Sequence, residues 1–147
     1  YFAALALSLG CSSIVNARFV MRYGMRLLSW HALRALTIVS AGFFVFAWTM
    51  QGNPPLWTLM TWGPIAFFCL GLVFGNFNAM AMEPLGHIAG VGAAVIGSLA
   101  TMISLLLGLV IGQSYDGTVL PLVGGFAILG LFSVAVMYVT ERGVPKL

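Results

Sequence analysis

The side chains that could do chemistry in this 147-residue chain are few, because only six Lys or Arg and three Asp or Glu are present. Four of the basic residues crowd positions 18–34, and the acids Glu83 and Asp116 each stand alone between long apolar runs. No nucleophile motif, phosphate loop or His/Cys/acid cluster with metal-ligand spacing occurs. We therefore expect no catalysis, no metal site and no cofactor.

Two amides, Asn76 and Asn78, are the most notable polar side chains within an apolar run. They precede Glu83 by roughly five to seven residues, which is ~8–11 Å along a helix. A buried amide needs a hydrogen-bond partner, so each could join two helices, or one of them could line a transport cavity. Because they lie ~200° apart around a helix, we predict that they do not face the same cavity.

Long charge-free runs identify the elements that must carry these groups. The chain is 61% hydrophobic and 6% charged with a mean hydropathy of +1.07, whereas a soluble domain has about 25% charged residues. A helix of ~20 apolar residues crosses the bilayer. The predicted fold class is an all-α membrane protein, one transmembrane domain over residues 1–147. Its five predicted spans are about 1–15, 31–51, 56–82, 88–113 and 118–140.

The first predicted span is shorter than the others. Fifteen residues reach only ~22 Å as a helix, and the chain starts with Tyr1, without Met and without the basic flank of a signal peptide. We therefore expect this span to be truncated and the chain to be a fragment of a longer protein.

The distribution of basic residues predicts the orientation. If residues 16–30 are cytoplasmic, alternating spans place every Lys and Arg on the cytoplasmic side, as the positive-inside rule requires. The C-terminus is then cytoplasmic. Topology in the lipid bilayer accounts for the arginines, so we expect no nucleic-acid partner. These basic residues are Arg18, Arg22, Arg26, Arg34, Arg142 and Lys146.

Small residues form stripes at helical spacing on two of the predicted spans. Such a stripe lets helix backbones approach closely. It is compatible with static packing or with a sliding interface in a transporter, and spacing does not separate the two. The stripe on the third span contains Gly71 and Gly75; that on the fourth contains Gly97, Thr101, Ser104, Gly108 and Gly112.

The stretch from Asn16 to Arg26 resembles the signature loop between helices in one half of a major facilitator superfamily transporter. Arg22, Gly24 and Arg26 match the loop, whereas Ala17 replaces its leading glycine and Met21 replaces its acid. The resemblance implies a cytoplasmic gate. Its candidate residues are Arg18, Arg22, Gly24, Arg26 and Glu83, of which Glu83 could pair with an arginine or be an ordinary solvated loop residue.

The stretch from Phe74 to Gly90 is similar to the end of helix ten and the following loop in Bcr/CflA-type drug-efflux members, which have an Asn near the helix end and a Pro-x-Gly-x-x-Ala-Gly loop. Residues 111–121 also resemble the last outer turn of that family. The resemblance implies helices eight to twelve of a twelve-helix fold, in a bacterial-type inner membrane.

By this resemblance the chain is the C-terminal part of a proton-coupled exporter of drugs or small amphiphilic molecules. Its partners would be the small-molecule substrate, a proton and the missing N-terminal helical bundle. The alternative is a non-transporting membrane subunit that packs against a partner protein, because the spans carry almost no charge.

Overall fold

The computed structural model describes the backbone of residues 1–143 and the side chains of residues 1–141. Within these residues the chain is helical and forms no strand. Lys146 and the side chain of Arg142, both predicted to be cytoplasmic, lie outside the described part. The five helices are α1 (Phe2–Tyr23), α2 (Met25–Thr49), α3 (Leu56–Met82), α4 (Ala89–Gln113) and α5 (Leu120–Gly143).

The helices have the length and composition of membrane spans. Four helical stretches are long and apolar enough to cross a bilayer, and one of them, Leu56–Gln113, has 58 residues. A 3-10 segment, Glu83–Ile88, divides this stretch into α3 and α4. With 27 and 25 residues, each half is long enough for ~30 Å of hydrocarbon. The chain is therefore an all-α, multi-pass membrane protein, as predicted.

Helix α1 extends beyond the first predicted span, and the helical part of α2 begins before the second. Helix α1 has 22 residues, or ~33 Å, and α2 begins directly after Gly24, so the predicted inner loop 16–30 is helical except at that glycine. Arginines and methionines are good helix formers, and they continue a helix beyond the apolar core. Gly24 ends α1 because its φ of 80° suits a residue without a Cβ. The remaining boundaries lie within three residues of the predicted ones.

Helix α3 lies at the centre of the bundle, where it packs against α1 and α2, while α2 also packs against α5. Two clusters of buried side chains fill these interfaces. In a bilayer such packing rests on van der Waals contact, because lipid is as apolar as the side chains. One cluster consists of Leu36, Trp62, Ala66, Cys69 and Val123, and the other of Ala32, Leu33, Leu72 and Val73.

Helix α4 has few neighbours. Of its residues only Gly92 is buried, and Ile96 and Ile111 are half-buried; the others are exposed. A Cβ added at Gly108 or Gly112 would meet no atom within 4 Å. The end of the small-residue stripe that contains Gly108 and Gly112 is therefore not covered by a described helix.

The two loops at the end of the bundle away from Gly24 are tied together. The N–H of Val119, before α5, donates to the carbonyl of Gly52 at 3.0 Å. Gly52 has φ 79°, and a Cβ there would lie 2.6 Å from the Cβ of Thr118. A glycine is required on both counts.

Candidate functional site

Asn76 joins two helices. Its side chain is 1% exposed, and its Nδ2 donates to Oδ1 of Asn16 on α1 at 2.8 Å. This is the hydrogen bond between helices that one of the two interpretations predicts. The bond satisfies one donor and one acceptor that would otherwise be buried without partners. Asn76 thus fixes α1 against α3, and lining a transport cavity remains a prediction for it.

Asn78 faces a different neighbour. Its side chain is exposed, and Nδ2 donates to the carbonyl of Phe74 one turn earlier at 2.9 Å. It lines a cavity of about 480 Å³ between α3 and α4, together with Thr101 and Ser104. We call this cavity the α3–α4 groove; its other lining residues are Phe74, Gly97, Ala100 and Leu105. The two amides therefore have separate surroundings, as their angular spacing predicts.

Two of the predicted charged gate residues line one cavity, together with the backbone of Gly24. Arg26, near the start of α2, and Glu83, after α3, both line an open cavity of about 700 Å³. Glu141, from the end of α5, lines it as well. We call this cavity the charged mouth. Among the described residues Glu83 forms no ion pair with an arginine.

The other gate candidates lie apart from the charged mouth or at its edge. Arg18 and Arg22 are exposed on the last turns of α1, and neither lines the cavity. The guanidinium of Arg22 lies 5.5 Å from the ring centroid of Tyr23, within cation–π range. Gly24 lines the mouth as backbone. Their role in a gate stays a prediction.

The single acid of the α4–α5 loop has a local structural role. Oδ1 of Asp116 accepts hydrogen bonds from the hydroxyl of Thr118 at 2.6 Å and from its N–H at 3.0 Å. The side-chain hydrogen bond and then the backbone one lower the pKa of Asp116, because both favour the carboxylate. The Thr118 hydroxyl in turn accepts from the N–H of Leu120 at 3.3 Å, at the start of α5. Asp116 is thus a turn residue, as its position before Gly117 predicts.

An aromatic cluster in the core is not apparent from the sequence. The Trp62 ring stacks on Phe43 with centroids 5.2 Å apart and meets the edge of Phe126 at 5.5 Å. Among the residues that the structure describes, its buried Nε1–H has no hydrogen-bond partner. The Trp62 side chain is only 5% exposed. The core position of Trp62 depends on packing between helices, with Leu36 on α2 and Val123 on α5, which the sequence does not show.

Two more residues of the site were not predicted. Asn16 counts as a loop residue by its distance from the apolar run, yet it lies on α1 and accepts the Asn76 hydrogen bond. Glu141 directly follows the last predicted span, 118–140, yet it shares the charged mouth with Arg26. In both cases the available signal was a polar residue directly after the predicted span.

The arrangement can offer hydrogen bonds and opposite charges to a ligand at one end of the bundle. Within the described residues no three of His, Cys, Asp and Glu come together. The free thiols Cys11, exposed, and Cys69, buried, lie on different helices. The polar and charged side chains described above therefore form candidate surfaces for binding or for conformational change.

Comparisons with protein families, with curated proteins and with solved structures find no match to this chain.

Proposed function

We propose that this chain is the C-terminal part of a secondary active transporter, a proton-coupled exporter of drugs or small amphiphilic molecules. It would act with an N-terminal helical bundle in a bacterial-type inner membrane, with the arginine-rich side in the cytoplasm. The partial major facilitator motifs of residues 16–26 and 74–90 favour this function.

The α3–α4 groove is the observation that carries the proposal. It places the amide of Asn78 and the hydroxyls of Thr101 and Ser104 between helices that otherwise carry apolar side chains. A few hydrogen-bonding groups within an apolar cavity are typical of small-molecule sites. The loose packing of α4 also suits alternating access, in which helices move past each other around a site within the membrane.

Efflux of a panel of amphiphilic cations from cells that express the intact protein, with and without an uncoupler, tests this function. Asn78→Leu removes the amide from the groove and is expected to lower efflux of at least one compound about tenfold, the loss of one or two hydrogen bonds to a substrate. Ser98→Ala is the matched control, because Ser98 lies on α4 outside the groove and bonds only Val95 within its own helix. Uncoupler-insensitive efflux, or equal loss in both variants, would contradict the proposal.

The role of Glu83 in a cytoplasmic gate is tested separately with Glu83→Gln. We expect an altered efflux rate with normal membrane insertion, because Glu83 lines the charged mouth with Arg26 and forms no packing contact in the core. Unchanged transport kinetics would remove Glu83 from the gate without affecting the groove.

A second function is favoured by the exposed stripe of α4. Gly108 and Gly112 are exposed on a helix with few neighbours, as expected of a surface that packs against another membrane protein. In a non-transporting subunit of this kind, Gly108→Leu would fill the stripe and abolish partner binding. It would have no effect on efflux. Co-purification of the partner with wild type but not with Gly108→Leu, in cells without uncoupler-sensitive efflux, would favour this alternative.

A further inference from the structure

A groove with aromatic walls lies between the second half of α2 and the first half of α3. It has a volume of about 380 Å³, which is within the ~300–1,000 Å³ range of small-molecule sites. We call it the aromatic groove. It shares no lining residue with the α3–α4 groove or with the charged mouth. The lining residues that determine its chemistry are Gly42, Phe43 and Phe46 on α2 and Trp57, Thr58 and Trp62 on α3.

Two polar side chains of the aromatic groove are almost fully buried. Trp62 is 5% exposed, and no described residue accepts a hydrogen bond from its Nε1–H. Thr58 is 8% exposed, and its hydroxyl donates to the carbonyl of Pro55 at 2.6 Å. The Thr58 proton is therefore in use, but the oxygen can still accept. Together the two side chains offer one donor and one acceptor.

This donor and this acceptor are neighbours on α3. Residues four apart lie on the same face of a helix, which places Trp62 one turn after Thr58 within the groove. A ligand hydroxyl can accept from an N–H and donate to an oxygen at the same time. A buried N–H without a partner is unfavourable, so a ligand oxygen that pairs with Nε1 removes this cost.

The remaining walls favour a neutral aromatic ring. Phe43 stacks on Trp62 with centroids 5.2 Å apart, and Phe46 lies 5.9 Å from Phe43, so a further ring can stack or pack edge-on. None of the described side chains that line the groove carries a charge. An ion would lose its hydration there without meeting an opposite charge. A Cβ added at Gly42 would meet no atom within 4 Å, so the groove is open at this residue.

We infer that the aromatic groove binds a neutral phenol. The ligand ring would pack against Phe46 and Trp57, and its hydroxyl would lie between Nε1 of Trp62 and Oγ1 of Thr58. A phenol has a pKa of about 10 and is therefore neutral at pH 7. The inference requires a folded chain in a membrane or a micelle and does not require transport.

Fluorine NMR with a fluorinated hydroxybiphenyl tests the inference on the purified intact protein in detergent micelles. Empty micelles give the partitioning into detergent, which is subtracted. We expect saturable binding of the phenol. Its methyl ether has no O–H to donate, so it should bind about tenfold more weakly, the loss of one hydrogen bond. Equal affinities for the phenol and its ether, or no saturable binding, would overturn the inference.

The position of the site is tested with Gly42→Leu. This substitution places a side chain in the open part of the groove and replaces a poor helix former by a good one, so the fold is retained. We expect an affinity for the phenol about tenfold lower. Ala35→Leu adds bulk at an exposed position about two turns earlier on α2, outside the groove, and should bind as wild type. Equal affinities of the two variants would exclude the groove.

The hydrogen bond to Thr58 is tested with Thr58→Val, which keeps the shape of the side chain. The affinity for the phenol should fall about tenfold, whereas that for the ether should not change, because the ether makes no such bond. Thr49→Val is the matched control, because the Thr49 hydroxyl also bonds within its own helix, to the carbonyl of Phe46, and lies outside the groove. An unchanged ratio of the two affinities in Thr58→Val would overturn the placement of the ligand hydroxyl.

The contact with Nε1 is tested with Trp62→Phe, which keeps an aromatic ring and removes the N–H. An ether oxygen can accept from Nε1–H as a phenol oxygen does, so the affinities for both ligands should fall severalfold. Wild-type affinities in Trp62→Phe would overturn this contact. If Trp62→Phe fails to fold, Gly42→Leu and Thr58→Val still decide the inference.

Discussion

Helices α3 and α4 follow each other in the chain and look alike in sequence, yet they have opposite surroundings. Each is apolar and has small residues at helical spacing. Helix α3 lies at the centre of the bundle with eight buried residues, whereas α4 has one. On α3 the stripe is occupied: a Cβ added at Gly71 would overlap Oγ of Ser12 on α1. On α4 a Cβ added at Gly97, Gly108 or Gly112 would meet no described atom within 4 Å.

The difference shows what a small-residue stripe can and cannot indicate. It permits close approach, but whether a helix approaches depends on what else the two faces offer. Helix α3 offers Asn76 to Asn16, as well as the Trp62 and Leu72 side chains of the two core clusters. Helix α4 has hydroxyls that bond within their own helix, such as Thr101 to the carbonyl of Gly97 at 2.8 Å. A hydroxyl whose donor is satisfied in its own helix can still accept a hydrogen bond, but it leaves no unpaired donor that would favour packing against a neighbouring helix.

Substitutions that fill the two stripes should give the largest difference in stability between α3 and α4. Gly71→Leu forces α1 and α3 apart and is expected to destabilise the fold by about 3 kcal/mol, the upper range for overpacking. Gly108→Leu on α4 should change stability by less than about 0.5 kcal/mol, as for a surface site. Reversible unfolding in mixed micelles, followed by circular dichroism, measures both. Equal destabilisation would mean that α4 packs as tightly as α3.

The two amides provide a smaller contrast. Asn76→Ala removes a buried hydrogen bond and leaves Asn16 without its partner, so we expect a loss of about 1–2 kcal/mol. Asn78→Ala affects only an exposed bond within α3 and should cost less than about 0.5 kcal/mol. The same unfolding assay applies. A larger effect at Asn78 would mean that the α3–α4 groove contributes more to stability than the α1–α3 contact.

The positions of the helices could be predicted from the sequence better than the contacts between them. Charge-free runs identify α3, α4 and α5 within three residues, because transfer of charge into hydrocarbon is too costly for the pattern to be ambiguous. The end of α1 could not be predicted in this way, because the arginines at positions 18–26 give a charged helix end the same low hydropathy as a loop. Stripe and amide patterns predicted which faces could pack, but not that Ser12, Asn16 and Glu141 would complete them. Such pairings depend on tertiary register, which one helix does not encode.

The hydrogen bond between the loops before α3 and α5 can be tested as a contact that holds the end of α4 in the bundle. Gly52→Ala places a Cβ against Thr118 and forces an unfavourable positive φ, so the tie between the loops before α3 and α5 should weaken. We expect a loss of about 1 kcal/mol. Gly112→Ala, at the end of α4, is the control and should be neutral, because no atom lies within 4 Å of its Cβ position. Hydrogen exchange at Val119 reports the tie directly. Unchanged exchange in Gly52→Ala would show that the two loops are independent.

The smallest expected effect comes from Asp116, whose hydrogen bonds order the turn between α4 and α5. Its pKa is lowered in the folded protein, so the carboxylate stabilises the fold above the unfolded-state pKa of about 4. That contribution is lost as the pH falls through the lower folded-state pKa. The stability difference between wild type and Asp116→Ala should therefore be constant near neutral pH and shrink below about pH 4. Asp116→Asn keeps an acceptor oxygen without titrating, so it should show no such pH dependence of its own. A stability difference between wild type and Asp116→Ala that increases on acidification would contradict this prediction. It would mean that the protonated form of Asp116, and not the carboxylate, stabilises the turn between α4 and α5.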